Sequence, residues 1–254
     1  MSATRRFTRL LPHSALPIFC LFLAAVPTAR AQVDEACCVA PDNGGGTALL
    51  PAPLGDGGCI YFGTTEIVDG LPVGTTIQID ASYGAFSNVV EVAGGSLGGT
   101  VSDFDAVFTM SMTGTGTLLG FNRFIAIPLN NGNNRISWSP RMPFAPVQNV
   151  LGDLERLSGQ VLGDPDFDLL RITGGTNFGM STPGQAQLVT SAGDWAVSSF
   201  FDVFHRIDFV GAPAGSLAGR SGSTTRQRRF TMCPGNVVAV ETKTWSGIKS
   251  LLAN

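Results

Sequence analysis

Thr76-Ile77-Gln78-Ile79-Asp80-Ala81-Ser82-Tyr83 alternates apolar and polar side chains without a break. Successive side chains of an extended chain point to opposite faces, so Ile77, Ile79, Ala81 and Tyr83 share one face and the polar set the other. Phe104, Ala106, Phe108, Met110 and Met112 repeat the device, with Asp103, Asp105, Thr109, Ser111 and Thr113 opposite. Both runs read as half-buried strands. Working outward, further strands are expected at residues 87–93, 118–128, 156–162, 167–173, 186–190, 195–210 and 223–232. Pro165, between Asp164 and Asp166, has the fixed φ of a tight turn and closes a hairpin there. Residues 149–161 fit a second period: Val150, Leu154, Leu157 and Val161 stand at helical spacing, which predicts a short helix before that hairpin. Some ten strands of this kind, in a chain with 32 Gly, 15 Pro and only 14% charged residues, define an all-β class. The expected form is an antiparallel β-sandwich or flattened barrel, in which the apolar faces cover one another.

Ahead of this domain, Arg5, Arg6 and Arg9 precede an apolar stretch from Leu16 to Val26 that ends at Ala29-Arg30-Ala31. A basic start, a short apolar core and a small-x-small site in series predict a signal peptide over residues 1–31, with the mature chain starting at Gln32. The apolar core is too short for a membrane span, which needs about 20 residues, and no later segment approaches that length. The expected location is therefore secreted, cell-surface or periplasmic. Loss of four arginines takes the 16 basic residues to 12 against 19 acidic, a net charge of −7. A basic face is the footprint of a nucleic-acid partner, and this balance argues against one. The basic cluster Arg226-Gln227-Arg228-Arg229 splits between two faces at strand spacing and reads as a solvated edge.

Residues 32–59 form a Gly/Pro-rich leader, residues 60–232 the β domain, and residues 233–254 a tail in which Thr244 caps a short helix with Trp245, Ile248, Leu251 and Leu252 on one face. Four cysteines follow the signal: Cys37, Cys38, Cys59 and Cys233. An even number in an exported chain predicts two disulfides, with three pairings open and adjacent Cys37 and Cys38 poorly placed for each other.

Four groups of residues bear on chemistry. Gly94-Gly95-Ser96-Leu97-Gly98 has the spacing of a hydrolase nucleophile elbow, but it opens into a strand rather than a helix and reads as a turn. His205, the one histidine after the signal, shares strand parity with Val197, Phe201, Val203, Ile207 and Phe209, which places it among core side chains. Asp164, Asp166 and Asp168 offer alternating carboxylates beside a turn, a calcium-type ligand set without the EF-hand register. Trp138, Trp195, Tyr61 and Tyr83 are candidates for a sugar-stacking platform.

Several blocks carry a resemblance. Asp69-Gly70-Leu71-Pro72-Val73-Gly74-Thr75-Thr76-Ile77, Gly120-Phe121-Asn122-Arg123, Gly163-Asp164-Pro165-Asp166-Phe167, Ser199-Phe200-Phe201-Asp202 and Leu217-Ala218-Gly219-Arg220-Ser221-Gly222-Ser223-Thr224-Thr225 resemble, in that order, blocks of exported β-rich proteins of environmental bacteria, a group of unknown function. The likeness covers about residues 60–225. It implies one exported bacterial β-rich domain and brings no catalytic residues with it. Thr244-Trp245-Ser246-Gly247-Ile248-Lys249 is similar to short C-terminal tails of exported bacterial proteins.

These readings converge on an exported, non-catalytic protein with a structural or surface-associated role. The alternative is an extracellular carbohydrate- or calcium-binding module, and a hydrolase of another type is the third. Exposed aromatics in a line favour the module; converging carboxylates in a deep cleft favour the hydrolase.

Overall fold

The computed structural model describes residues 38–53, 59–130 and 132–232. Its strands are β1 (Val39–Ala40), β2 (Tyr61–Ile67), β3 (Ile77–Ala93), β4 (Thr100–Gly114), β5 (Asn122–Leu129), β6 (Asn134–Trp138), β7 (Val147–Leu162), β8 (Phe167–Gly174), β9 (Pro183–Ser191), β10 (Asp194–Gly211) and β11 (Ser221–Met232). The fold is all-β, as the alternation requires. Every pairing is antiparallel, and the path β10-β11-β2-β3-β4-β6-β7-β8 returns to β10 through the Gly174-to-His205 ladder. The sheet closes into a barrel, which leaves few free strand edges. Two strands thicken this ring. β9 fills the space between the first halves of β7 and β10 where β8 fills the second halves. β5 flanks β4 from Ala106 to Thr113, beyond the short ladder that β4 makes with β6.

The inward faces are those read from the sequence. Ile77, Ile79, Ala81 and Tyr83 are buried, and so are Phe104, Ala106, Phe108, Met110 and Met112. Phe86 packs edge-on against Tyr61, Tyr83 and Phe104, with ring centroids 5.2 to 6.0 Å apart, a geometry that adds about 1 kcal/mol per pair beyond area burial.

Residues 149–161 are a correction. They form no helix; they belong to the unbroken strand β7. Opposite β6, Asn134, Arg135 and Ile136 face Leu157, Arg156 and Leu154, so one extra residue enters β7 at Glu155. This bulge moves the inward parity from Val150, Gly152 and Leu154 to Leu157, Gly159 and Val161. Two of these six positions are glycine for want of space. A Cβ on Gly152 would stand 2.7 Å from the Trp138 ring, and one on Gly159 would stand 2.2 Å from Leu129. Two inward glycines and one bulge turn a strand into apolar residues spaced four, three and four apart.

The leader packs at the end of the barrel where β6 finishes and β7 and β10 begin. Ala48, Leu50 and Ala52 are buried there, and the Trp138 Nε1–H donates to the Leu50 carbonyl at 3.2 Å. Cys38 and Cys59 are bonded to each other, which ties the leader to the approach of β2. Arg141 and Glu91 form an ion pair, each side chain 7% exposed, and Arg141 also donates to the Ala48 carbonyl at 2.5 Å. Residues 1–37 and 233–254, including Cys37, Cys233, the signal and the tail helix, lie outside the described residues. Among the described residues no helix is long and apolar enough to cross a membrane.

Candidate functional site

The barrel has one loosely paired seam, between β2 and β11. Among the described residues these strands share a ladder only at Phe62 with Thr231 and Tyr61 with Met232. At the far end Thr224 Oγ1 accepts from the Val68 and Asp69 amides, at 3.1 and 3.0 Å. Between these ties the strands part. Phe230 fills part of the gap; its ring would lie 2.9 Å from a Cβ on Gly63. Arg226 and Arg228 stand directly across from His205 and Val203 and so belong to the inward face of β11. They reach out through the seam instead. Both guanidiniums end on Glu66 Oε1, from Arg226 Nε at 3.0 Å and from Arg228 at 3.3 Å. The cluster is solvated, as its spacing suggests, and its arginines are also ion-paired: the Arg226, Arg228 and Arg229 side chains are 30%, 41% and 50% exposed. Its outward member, Arg229, makes two 2.8 Å bonds to Asp202 and lies 4.1 Å from the centre of the Phe200 ring. Those bonds hold the Asp202 carboxyl below its usual range.

Outside this seam lies a groove of about 300 Å³ lined by Thr64, Thr65, Glu66, Gln78, Asp80 and Arg228, with Ile79 beside them. That volume is at the lower end of ligand-binding pockets. Arg226 and Arg228 both end on Glu66, and counted together with Asp80 the four groups carry no net charge. Continuing outward across the strands, Thr64 pairs with Asp80, Asp80 with Ser111, and Ser111 with Phe124. The neighbouring row runs from Phe62 through Ser82 and Thr109 to Ala126. Phe62 is 42% and Phe124 68% exposed. The outer face of β2 to β5 is thus a hydroxyl- and amide-bearing strip with an aromatic ring at each side.

Inside the seam, His205 is buried, with its Nε2 2.9 Å from Thr65 Oγ1 and its Nδ1 3.2 Å from the Val203 carbonyl. Burial pushes its pKa down to about 4, and Arg228 and Arg226 add to that direction. The void beside it, between Tyr61, Tyr83, Phe108, Phe201 and Phe230, holds about 10 Å³, room for a single water.

The residues singled out from sequence are distributed as follows. Ser96 lies in the β3–β4 turn, where its amide donates to Ser137 Oγ at 3.1 Å and its Oγ is 3.5 Å from Asp153; it and His205 have different partners. Asp164 and Asp166 both meet Arg123, at 2.5 and 3.3 Å, and Asp166 also accepts from the Ser216 amide. A cation there would have to displace that guanidinium. Asp168 is exposed on β8, and among the described residues no three His, Cys, Asp or Glu side chains are grouped to hold a metal ion. Trp138, Trp195, Tyr61 and Tyr83 are all buried, so none forms a stacking platform. Tyr61 and Tyr83 instead hydrogen-bond inward, to Ser199 at 2.9 Å and to Asn134 at 3.0 Å, and burial raises both phenol pKa values.

Sequence reasoning missed Phe62 and Phe124. A signal existed for the second: Phe124 lies at the parity of Asn122 and Ala126, opposite the buried Ile125 and Ile127, so an aromatic stands on the solvent side of its strand. No protein-family model, curated protein or solved structure matches this chain.

Proposed function

We propose that the chain is an exported, surface-associated, non-catalytic binding module that holds a neutral, polyhydroxylated ligand, a saccharide of extracellular or cell-surface origin, in the groove at the β2–β11 seam. The observation that carries this reading is the charge balance of the groove. Glu66 and Asp80 against Arg226 and Arg228 leave no net charge to recruit an anion or a cation, while carboxylate, guanidinium, amide and hydroxyl groups together supply both donors and acceptors. Sugar hydroxyls need both. A bidentate, charge-assisted partner is also stronger than a neutral one, at about twice the energy. The Cys38–Cys59 bond and the closed ladder give the site a rigid frame, which lowers the ordering cost of binding.

Titration of isotope-labelled protein with neutral and uronic-acid oligosaccharides, followed by amide chemical shifts, tests the reading. Neutral sugars are expected to move the amides of Thr64, Glu66, Gln78, Asp80 and Arg228. A stronger response to the acidic sugars at these positions, or no response to any sugar at millimolar concentration, overturns it.

A further inference from the structure

We infer that the ligand is an extended, uncharged polysaccharide chain that leaves the groove and crosses the outer face of β2 to β5 as far as Phe124. This rests on the saccharide reading of the groove and deepens it. Phe62 and Phe124 stand three strand spacings apart, about 14 Å across the sheet, too far for one monosaccharide to touch both. Between them the outward positions are Thr64, Asp80, Ser82, Thr109 and Ser111, with Gln78, Thr113 and Asn122 along the adjoining row. Hydroxyl and amide side chains donate and accept, so they exchange hydrogen bonds with sugar hydroxyls without stranding either partner.

The rings answer the other half of a sugar's surface. A pyranose presents C–H faces as well as hydroxyls, and an aromatic ring covers such a face with little loss of conformational freedom. Phenylalanines exposed at 42% and 68% on a face whose other positions are mostly Thr, Ser, Asn and Gln, with Ala126, Asp80 and Glu66, do not serve core packing. Both lie on the outward parity, where neither contributes to the barrel interior. A strip of neutral side chains also costs little to desolvate over its length, whereas a row of charges would not. The one carboxylate on the strip, Asp80, sits at its groove end. One polymer chain entering the groove by Glu66 and Asp80 and stacking on Phe62 and Phe124 would satisfy the whole surface.

The test uses the full secreted chain and three variants: Phe124→Ala, Asp80→Ala, and Phe178→Ala as a control whose ring is 44% exposed away from this face. Each is measured by affinity electrophoresis in gels containing galactomannan, xyloglucan, mixed-linkage glucan or dextran, and by amide shifts with the corresponding disaccharides. For the polymer that retards the wild type, Phe124→Ala is expected to weaken binding about tenfold or more, while disaccharide shifts at Thr64 and Asp80 persist. Asp80→Ala is expected to weaken both, and Phe178→Ala neither. Polymer affinity unchanged in Phe124→Ala, with groove shifts intact, overturns the extended path and leaves the groove reading standing. No retardation and no shifts with any sugar removes both. Self-association of the wild type that Phe124→Ala abolishes would show that a second copy covers this face and would also overturn the inference.

Discussion

His205 Nε2 lies 2.9 Å from Thr65 Oγ1, so the one imidazole in the barrel is bonded across the seam to the strand that β11 barely touches. The Val203 carbonyl, 3.2 Å from Nδ1, accepts the proton of that nitrogen and leaves Nε2 to accept from the threonine. Both ring nitrogens are used by the neutral form. A second proton would put a charge in a buried site, which is the main reason the pKa is lowered, and would set that charge beside Arg228 and Arg226, which act in the same direction.

Stability should therefore depend on this ring in a defined pH window. A histidine held near 4 when folded but near 6.5 when unfolded leaves the unfolded chain with more bound protons between these values. The contribution is intact above about 6.5, falls with decreasing pH, and levels off below about 4, for a total on the order of 3 kcal/mol. His205→Gln is expected to cost about 1 to 3 kcal/mol at pH 7. Its stability should also fall less steeply than the wild type's from pH 6.5 to 4. Equal slopes in urea denaturation across that window would show that the imidazole is not the cause.

The inward alternation of β3, β4 and β10 was legible because the inward positions are large and apolar. Where they are not, the pattern fails. In β2 the inward series is Tyr61, Gly63, Thr65 and Ile67, and glycine is needed at its second position so that Phe230 can lie there. In β6 the series starts with Asn134, whose amide donates to the Phe104 and Leu129 carbonyls and whose oxygen accepts from Tyr83. β2 shows no alternation to a reader of sequence, and β6 shows only the short run Arg135-Ile136-Ser137-Trp138. The groove was hidden for a related reason: it depends on where two strands separate, and Arg226 and Arg228 leave their own face to reach it. Phe124, by contrast, departs visibly from the period of its strand.

Export is open to a direct check. Edman sequencing of the protein recovered from the medium or periplasm of an expressing bacterium should begin at or near Gln32. A mature species that retains Met1 contradicts the signal assigned to residues 1–31.

The Cys38–Cys59 bond encloses a sequence separation of 21 residues. Closing a loop of this size is worth about 3 kcal/mol in the chain-entropy view, and Cys38→Ser should lose roughly that much stability. With two disulfides expected and this pair assigned, Cys37 is left for Cys233. Non-reducing peptide mapping should recover both cross-links; a Cys37–Cys38 or Cys59–Cys233 linkage would contradict the assignment.

Asp164 and Asp166, each with 13% of its side chain exposed, share Arg123. Calcium and the guanidinium compete for the same oxygens. Millimolar calcium is therefore expected to raise the melting temperature of Arg123→Ala more than that of the wild type, because the variant leaves two half-buried carboxylates without their cation. An equal shift in both proteins would place any bound ion elsewhere.

The strongest single electrostatic dependence is expected at Arg141. Its guanidinium and the Glu91 carboxylate are each 7% exposed, and it also donates to the Ala48 carbonyl and to Thr47 and Thr100, so one side chain joins the leader, β3 and β4. Burial lowers the arginine's pKa. Glu91 has one oxygen without a hydrogen-bond partner, so the pair is incompletely compensated and its net contribution to stability is modest. Removing one member is a different matter, because the other remains charged in a dry site. Arg141→Met should cost about 3 to 5 kcal/mol, the range for breaking a buried pair. The double variant with Glu91→Leu should recover much of that loss, since two apolar side chains leave no uncompensated charge. Urea denaturation of the two single variants and the double variant forms a closed cycle. If the losses simply add, the two groups are not coupled, and Arg141 holds the leader through its bonds to Ala48 and Thr47 instead.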